Sequence, residues 1–168
     1  MASRGRDQTD HLHILGAGKL PSPAGPPGAH LLEAFPNTFP QRHYIIRIAY
    51  PEFTSLCPVT GQPDFANMVV EYIPDTLCVE SKSFKLYMTA FRNHNAFMET
   101  ITNTVLHDLC AVLSPRWCRV NGIFAPRGGT HLHVFAEQFK ELTKAELFAL
   151  KAQVHAWKSE AHPYSLHP

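Results

Sequence analysis

Two helical patterns stand back to back between two pairs of strand patterns, and that order constrains the fold more than anything else in the chain. From Ser81 to about Arg92 the apolar residues Phe84, Tyr87, Met88 and Phe91 fall at i, i+3, i+4 and i+7, one face of a helix. A second stripe follows about Asn93-His94-Asn95, with Phe97, Ile101, Val105, Leu109 and Val112. Ahead of them, His43 to Tyr50 and Met68 to Ile73 read as strands, the first stopped by Pro51 and the second closed by the turn residues Pro74-Asp75. Behind them, Trp117 to Phe124 and Thr130 to Glu137 are two more, around Pro126-Arg127-Gly128-Gly129. Thr143 and Glu146 have capping-box spacing before Leu147, Leu150, Val154 and Trp157, which predicts a C-terminal amphipathic helix. The order predicts an α+β fold: a four-stranded antiparallel sheet with two helices between its second and third strands on one face, plus a C-terminal helix. Such a sheet has exposed edges, which a ring of subunits would pair. A homo-oligomer is expected.

Residues 1–40 carry Pro21, Pro23, Pro26, Pro27, Pro36 and Pro40 among Gly, Ala and Ser, a composition that blocks helix and predicts a mobile arm. The end of the arm, Leu31-Leu32-Glu33-Ala34-Phe35, is apolar enough to dock on the domain or on a neighbour. The organisation expected is an arm over 1–40, a catalytic domain over 41–140, and a helix and tail over 141–168. Hydrophobic residues make up 45% and charged residues 17%, a globular balance. A formal net charge of +1 gives no global field for nucleic acid or a membrane surface, so an anionic ligand needs a local basic cluster. No stretch approaches the roughly 20 apolar residues of a membrane span. The polar stretch Met1 to Asp10 has no signal-peptide core, and four scattered cysteines suit reduced thiols. The expected location is the cytoplasm.

Cys57 lies in Ser55-Leu56-Cys57-Pro58-Val59-Thr60-Gly61-Gln62-Pro63-Asp64-Phe65, a Pro/Gly-rich loop between two strands rather than on an apolar stripe. A lone cysteine is more often a small core residue. Here a carboxylate sits a short loop away, and a thiolate with a nearby acid can attack an electrophilic carbon and protonate the atom that becomes negative. Asp64 is equally suited to cap a turn. In Val79-Glu80-Ser81-Lys82-Ser83-Phe84-Lys85, the residues Ser81, Lys82 and Lys85 lie off the apolar face. They read either as a solvated basic face or, with free N–H groups at a helix start, as a phosphate site. Arg127 and Gly128 add a guanidinium on a tight loop or form a bare hairpin turn.

Taken together, Cys57 to Phe65, Glu80 to Tyr87, Phe91-Arg92-Asn93-His94, Phe97-x-Glu99 and Pro126-Arg127-Gly128-Gly129 resemble the NADPH-dependent 7-cyano-7-deazaguanine reductases of queuosine biosynthesis, a tRNA modification pathway. The likeness runs from about Phe35 to Glu137. It implies the tunnelling fold, in which subunits form an oligomeric barrel with active sites at their interfaces. It implies a small-molecule deazapurine substrate and the cofactor NADPH, with no direct nucleic-acid partner and no membrane. By the resemblance, Cys57 forms a thioimide with the nitrile carbon and Asp64 donates a proton. Val79, Glu80, Ser81, Met98 and Glu99 hold the deazapurine, while Ser81, Lys82, Lys85, Arg127 and Gly128 hold the cofactor. Met98 departs from the pattern, since many members carry His just before the equivalent of Glu99. The related GTP cyclohydrolases place Glu-His-His after an equivalent cysteine to bind zinc; Pro58-Val59-Thr60 stand here instead, and no metal is expected. His131 and His133 read as strand-surface residues. Two rivals share these residues: an amidine-forming relative on the same scaffold, and a purine- or pterin-binding protein without turnover.

Overall fold

The alternating patterns become the strands of one sheet, and its two faces are filled by different helices. The computed structural model describes residues 25–159. In chain order it contains β1 (Ala34–Pro36), β2 (Ile46–Leu56), β3 (Pro63–Ile73), β4 (Leu77–Val79), α1 (Ser81–Ala90), α2 (Met98–Leu113), β5 (Trp117–Phe124), β6 (His133–Phe139) and α3 (Lys144–Ser159). The main sheet has the order β2-β3-β5-β6, with every pair antiparallel. The helices α1 and α2 are inserted between β3 and β5, as the patterning predicts. Residues 1–24 of the expected arm, and the tail beyond 159, lie outside the described residues.

Side chains alternate across a strand, so the sheet residues Met68, Val70, Tyr72, Val120 and Phe124 share a face. They pack with Phe84, Tyr87, Met88 and Phe91 from the α1 side and Ile101, Val105 and Leu109 from α2 to make the main core. Tyr87 donates a buried hydrogen bond to Asp108 Oδ2 at 2.8 Å, tying α1 to α2. Where α2 crosses β5 the fit admits only a glycine. A Cβ on Gly122 would lie 2.6 Å from Thr102 Oγ1 and 2.7 Å from Phe124. Ile73 and Trp117 point the other way, and there Leu150 and Val154 of α3 cover them in a second, smaller core. The capping box that starts α3 is formed as its spacing predicts: Thr143 donates to Glu146 Oε2 from its N–H at 3.0 Å and from its hydroxyl at 2.6 Å.

Beyond α3 the open face carries a row of charge. Arg47, Glu71, Arg119 and Glu137 are successive cross-strand partners from β2 to β6. Arg47 reaches Glu71 at 3.9 Å. Arg119 is ion-paired with Glu71, and Trp117 donates to Glu137 at 3.2 Å.

Several boundaries differ from the sequence reading: β2 starts at Ile46 rather than His43, β6 spans His133–Phe139 rather than Thr130 to Glu137, and three more have a clear cause. Pro51 does not stop the first long strand, which continues to Leu56. β2 is an edge strand, so a missing N–H is tolerated there, and a register shift between Tyr50 and Phe53 absorbs the proline as a bulge. β3 begins at Pro63 rather than Met68, because the loop after Cys57 is a tight turn and not a long connection. The first helix ends at Ala90, with a 3-10 turn over Phe91–Asn93. A small second sheet of β1 and β4 is an addition. Leu32 docks in the core beside it, and Glu80 N–H donates to Glu33 carbonyl at 2.8 Å. Three-residue strands are too short to leave a periodic signal.

Candidate active site

Cys57 sits where β2 turns into β3, and the turn is closed by its own backbone. Cys57 N–H donates to Gln62 carbonyl and Gly61 N–H to Cys57 carbonyl, each at 2.9 Å. Gly61 adopts a φ of +66°, which favours glycine. The turn is also tied to the start of α2. Leu56 N–H donates to His94 carbonyl at 3.0 Å and Ala96 N–H to Leu56 carbonyl at 3.1 Å, while the Asn95 side chain reaches Cys57 carbonyl at 3.4 Å. Met98 and Glu99 therefore stand at the Cys57 end of the sheet.

The thiol is half-exposed and its proton is loosely held. The Thr60 hydroxyl, then the Thr60 and Val59 N–H groups, and last Arg127 stabilise the thiolate and pull it down to about 6 from an ordinary 9.0. A thiol of that acidity is ionised at neutral pH and is a ready nucleophile.

Asp64 lies opposite Ser55 across the β2–β3 pair, and its side chain is only 3% exposed. Arg127 Nη1 donates to Asp64 Oδ1 at 2.7 Å, and its Nη2 to Gln62 Oε1 at 2.8 Å and Thr60 Oγ1 at 3.4 Å. The guanidinium arrives there on a two-residue hairpin. Arg127 and Thr130 exchange both backbone hydrogen bonds at 3.0 Å, and Gly128 and Gly129 between them have φ of +56° and +80°. Both central residues need a left-handed backbone in such a turn, which accounts for the paired glycines. The geometry thus joins Cys57, Asp64 and Arg127 in one constellation. Arg127, expected at the cofactor, here faces the nucleophile and the carboxylate.

Glu80, Ser81, Lys82 and Lys85 stand apart from that constellation. Glu80 caps α1: its Oε1 accepts Lys82 N–H at 2.8 Å and its Oε2 accepts Ser83 N–H at 2.7 Å. Those N–H groups, with the Ser81 hydroxyl, hold the carboxyl below its ordinary range. The reading of free N–H groups at this helix start is therefore corrected, because Glu80 occupies two of them. Val79 is buried and donates its N–H to the Tyr72 hydroxyl at 3.1 Å. Ser81, Lys82 and Lys85 are exposed. Helix α1 leads from Glu80 back to the turn that holds Leu56, and ten residues at the helical rise span about 15 Å. Within one chain, the length of α1 lies between Glu80 and the turn beside Cys57. Glu99 is exposed on α2 and shares a shallow depression of about 480 Å³ with Thr100, Asn103, Thr104 and His107. Met98 is half-buried against the core.

Sequence reasoning missed Thr60 and Gln62. Thr60 carries a hydroxyl three positions after a cysteine in a turn, a signal that was available. Gln62 and the inward course of Arg127 depend on two distant hairpins meeting, which no local pattern encodes.

Three comparisons bear on these residues. Residues 63–143 match a family model described as "QueF-like protein". A curated NADPH-dependent 7-cyano-7-deazaguanine reductase from Desulfovibrio desulfuricans is 65% identical over 165 residues, covering 98% of this chain and 99% of that protein. Enzymes of the same name from Nitratidesulfovibrio vulgaris and Neisseria gonorrhoeae are 65% and 45% identical over 160 and 149 residues, covering 95% and 89% of this chain and 96% and 94% of their own. Among solved structures, the apo form of an archaeosine synthase QueF-Like superposes with a TM-score of 0.53 at 23% identity, over 56% of this chain and 92% of its own, a likeness of fold. At such identity over nearly the whole length, the chain belongs to the family of NADPH-dependent 7-cyano-7-deazaguanine reductases.

Proposed function

We propose that this chain reduces the nitrile of 7-cyano-7-deazaguanine to 7-aminomethyl-7-deazaguanine, using two NADPH per turnover. The observation that carries the reading is Cys57, an acidic, half-exposed thiol in one constellation with a buried carboxylate. The thiolate attacks the nitrile carbon, and the nitrogen that becomes negative takes a proton from Asp64. NADPH, when bound, would supply the two hydrides, and with two protons they would convert the nitrile carbon to the aminomethyl carbon while Cys57 is released as thiolate. Ser81, Lys82 and Lys85, a hydroxyl and two ammonium groups near a helix start, fit the cofactor phosphates.

Arg127 has two partners in this reading. Paired with Asp64 through Nη1, it fixes the position of that carboxyl group. As a cation on an exposed hairpin it is also suited to the phosphates of the cofactor. Met98 cannot titrate and takes no part in proton transfer. Glu99 and Glu80 are suited to the N–H and amino donors of a deazapurine. The α1 helix separates Glu80 from Cys57 within a chain, and this supports a homo-oligomer in which one subunit supplies Cys57 and Asp64 and another the Glu80–Lys85 segment. The arm, the catalytic domain and the C-terminal helix remain the proposed organisation, with a cytoplasmic location.

Intact-mass measurement with the nitrile tests the chemistry. Without NADPH, the wild-type chain gains the mass of the nitrile; with NADPH the adduct disappears as NADPH absorbance falls. Cys57→Ala shows neither. Turnover in that variant refutes the reading, and an adduct that never oxidises NADPH favours the amidine-forming relative. Lys82→Ala should raise the NADPH requirement more than that for the nitrile.

A further inference from the structure

One buried oxygen beside the candidate acid has no task in the fold. Ser55 is fully buried, and its hydroxyl has no hydrogen-bond partner among the described residues. It stands directly opposite Asp64 across the β2–β3 pair. Phe53 and Ala66 face each other two residues further along the same strands, so all four side chains share the helix-covered face. Facing residues of an antiparallel pair hold their Cβ atoms about 4.5–5.5 Å apart, which puts the serine oxygen within reach of the carboxyl. The other buried side-chain oxygens without a partner among the described residues, on Asn67 and Asn121, lie on the opposite face.

The surroundings make that hydroxyl costly. Phe53 packs against Phe91 and Phe124, with ring centroids 5.5 Å and 6.4 Å apart, and gives this end of the core an apolar wall. A hydroxyl left unpaired in an apolar interior destabilises the fold, whereas alanine fits the same space without that cost. The fold alone therefore favours alanine here, and the oxygen is accounted for by the chemistry next to it. We propose that Ser55 is a positioning residue for Asp64, its hydroxyl held beside the carboxyl to engage it as the proton is delivered. This rests on the reading of Asp64 as the proton donor, and adds to it a residue that, being fully buried, meets no substrate.

A hydroxyl suits both states of the acid because it donates and accepts. Arg127 is bonded to Oδ1 of Asp64, which leaves Oδ2 for Ser55. Toward the protonated carboxyl the serine oxygen accepts. As sulfur bonds to the nitrile carbon, the proton passes from Asp64 to the nitrogen, and the serine hydroxyl turns to donate to the carboxylate left behind. Ser55 itself neither gains nor loses a proton. A hydrogen bond to a charged oxygen in a dry site is stronger than one to a neutral oxygen, so this contact tightens as charge appears on Asp64. An interaction that strengthens on the way to the transition state speeds the chemical step and leaves substrate binding unchanged.

The test compares wild type, Ser55→Ala, Asp64→Asn and the double variant, by steady-state turnover and by the rate at which the nitrile adduct forms without NADPH. Ser55→Ala should lower kcat and the adduct rate about tenfold while both KM values stay within about twofold of wild type. The same variant should melt about 2–4 °C higher at equal protein concentration, since an unpaired buried hydroxyl is gone. In the Asp64→Asn background, removing the hydroxyl should slow the residual adduct rate by less than about twofold, because the group it acts through is already lost. Alkylation of Cys57 should keep its wild-type pH dependence. An unchanged kcat, a full tenfold loss that persists beside Asp64→Asn, or a shifted Cys57 profile overturns the role. So does a Ser55→Ala chain that melts lower or fails to fold, which would assign the hydroxyl to the fold. A wild-type chain that forms no adduct is a different failure, since it removes the function on which the role rests.

Discussion

Thr60 is the group that most lowers the Cys57 thiol, so Thr60→Val should slow the nucleophile without removing it. At about 6, the thiol is about nine-tenths ionised at neutral pH, whereas a cysteine at the ordinary 9.0 is only about 1% ionised. The Thr60 hydroxyl is the largest single cause of that difference, ahead of the N–H groups of Thr60 and Val59, and Arg127 contributes least of the favourable contacts. Valine has the shape of threonine and keeps both N–H groups, so the loss is partial: a rise of about one unit or more. At pH 6 the ionised fraction then falls from about half to about a tenth, and alkylation slows about fivefold. The assay follows iodoacetamide labelling of the Cys57 peptide against pH in wild type, Thr60→Val and Arg127→Ala. The expected order of inflections is wild type lowest, Arg127→Ala slightly above it, Thr60→Val highest. An inflection for Thr60→Val still near that of the wild type refutes the hydrogen-bond account, and an Arg127→Ala shift larger than that of Thr60→Val refutes the ranking. The sign of the linked stability follows. Because the folded thiol lies below its unfolded value, the contribution of this group grows as pH rises from about 6 to about 9 and is lost as pH falls through 6.

Three further outcomes follow from contacts described above. Arg127→Ala leaves the Asp64 carboxylate buried without its ion pair, so kcat should fall more than the KM for NADPH rises; a change confined to that KM would assign Arg127 to the phosphates alone. Tyr87→Phe removes a donor that ties α1 to buried Asp108 and should cost about 1–3 kcal/mol in urea unfolding, while an unchanged midpoint would show that a water replaces it. Gly122→Ala forces a methyl group within 2.6 Å of the Thr102 hydroxyl and should destabilise the fold by about 1–3 kcal/mol; wild-type stability would mean that α2 can shift away from β5.

What the sequence reveals and what it hides divide along physical lines. The helix faces of α1 and α2, the capping box before α3 and the strand from Trp117 to Phe124 all rest on contacts between residues close in sequence, and all appear where their spacing puts them. Pro51 misleads because its effect depends on whether the strand lies at an edge, a property of the whole sheet. The pairing of β1 with β4 joins residues some forty positions apart through three positions each, too few for periodicity. The site divides in the same way. The turn from Cys57 to Asp64 is local, and its glycine, prolines and hydroxyl are visible in the string. The approach of Arg127 to that turn is not, since it needs the second hairpin to fold back across β3.

If Glu80 holds the deazapurine as proposed, the cap on α1 gives one carboxylate two duties. Oε1 of Glu80 accepts the Lys82 N–H and the Ser81 hydroxyl, while Oε2 accepts the Ser83 N–H and has capacity for a further donor. A base arriving with its own N–H groups would find an acceptor already aimed, already stripped of part of its hydration and unable to swing away. The same economy exposes a weakness: any change at this position that blunts recognition also frays the helix behind it, so a damaged grip and a loosened scaffold would reach the experimenter as one phenotype. Even glutamine loses one of the two capping bonds, since its amide nitrogen cannot accept an N–H, so helix content and ligand affinity have to be measured side by side to tell the two apart.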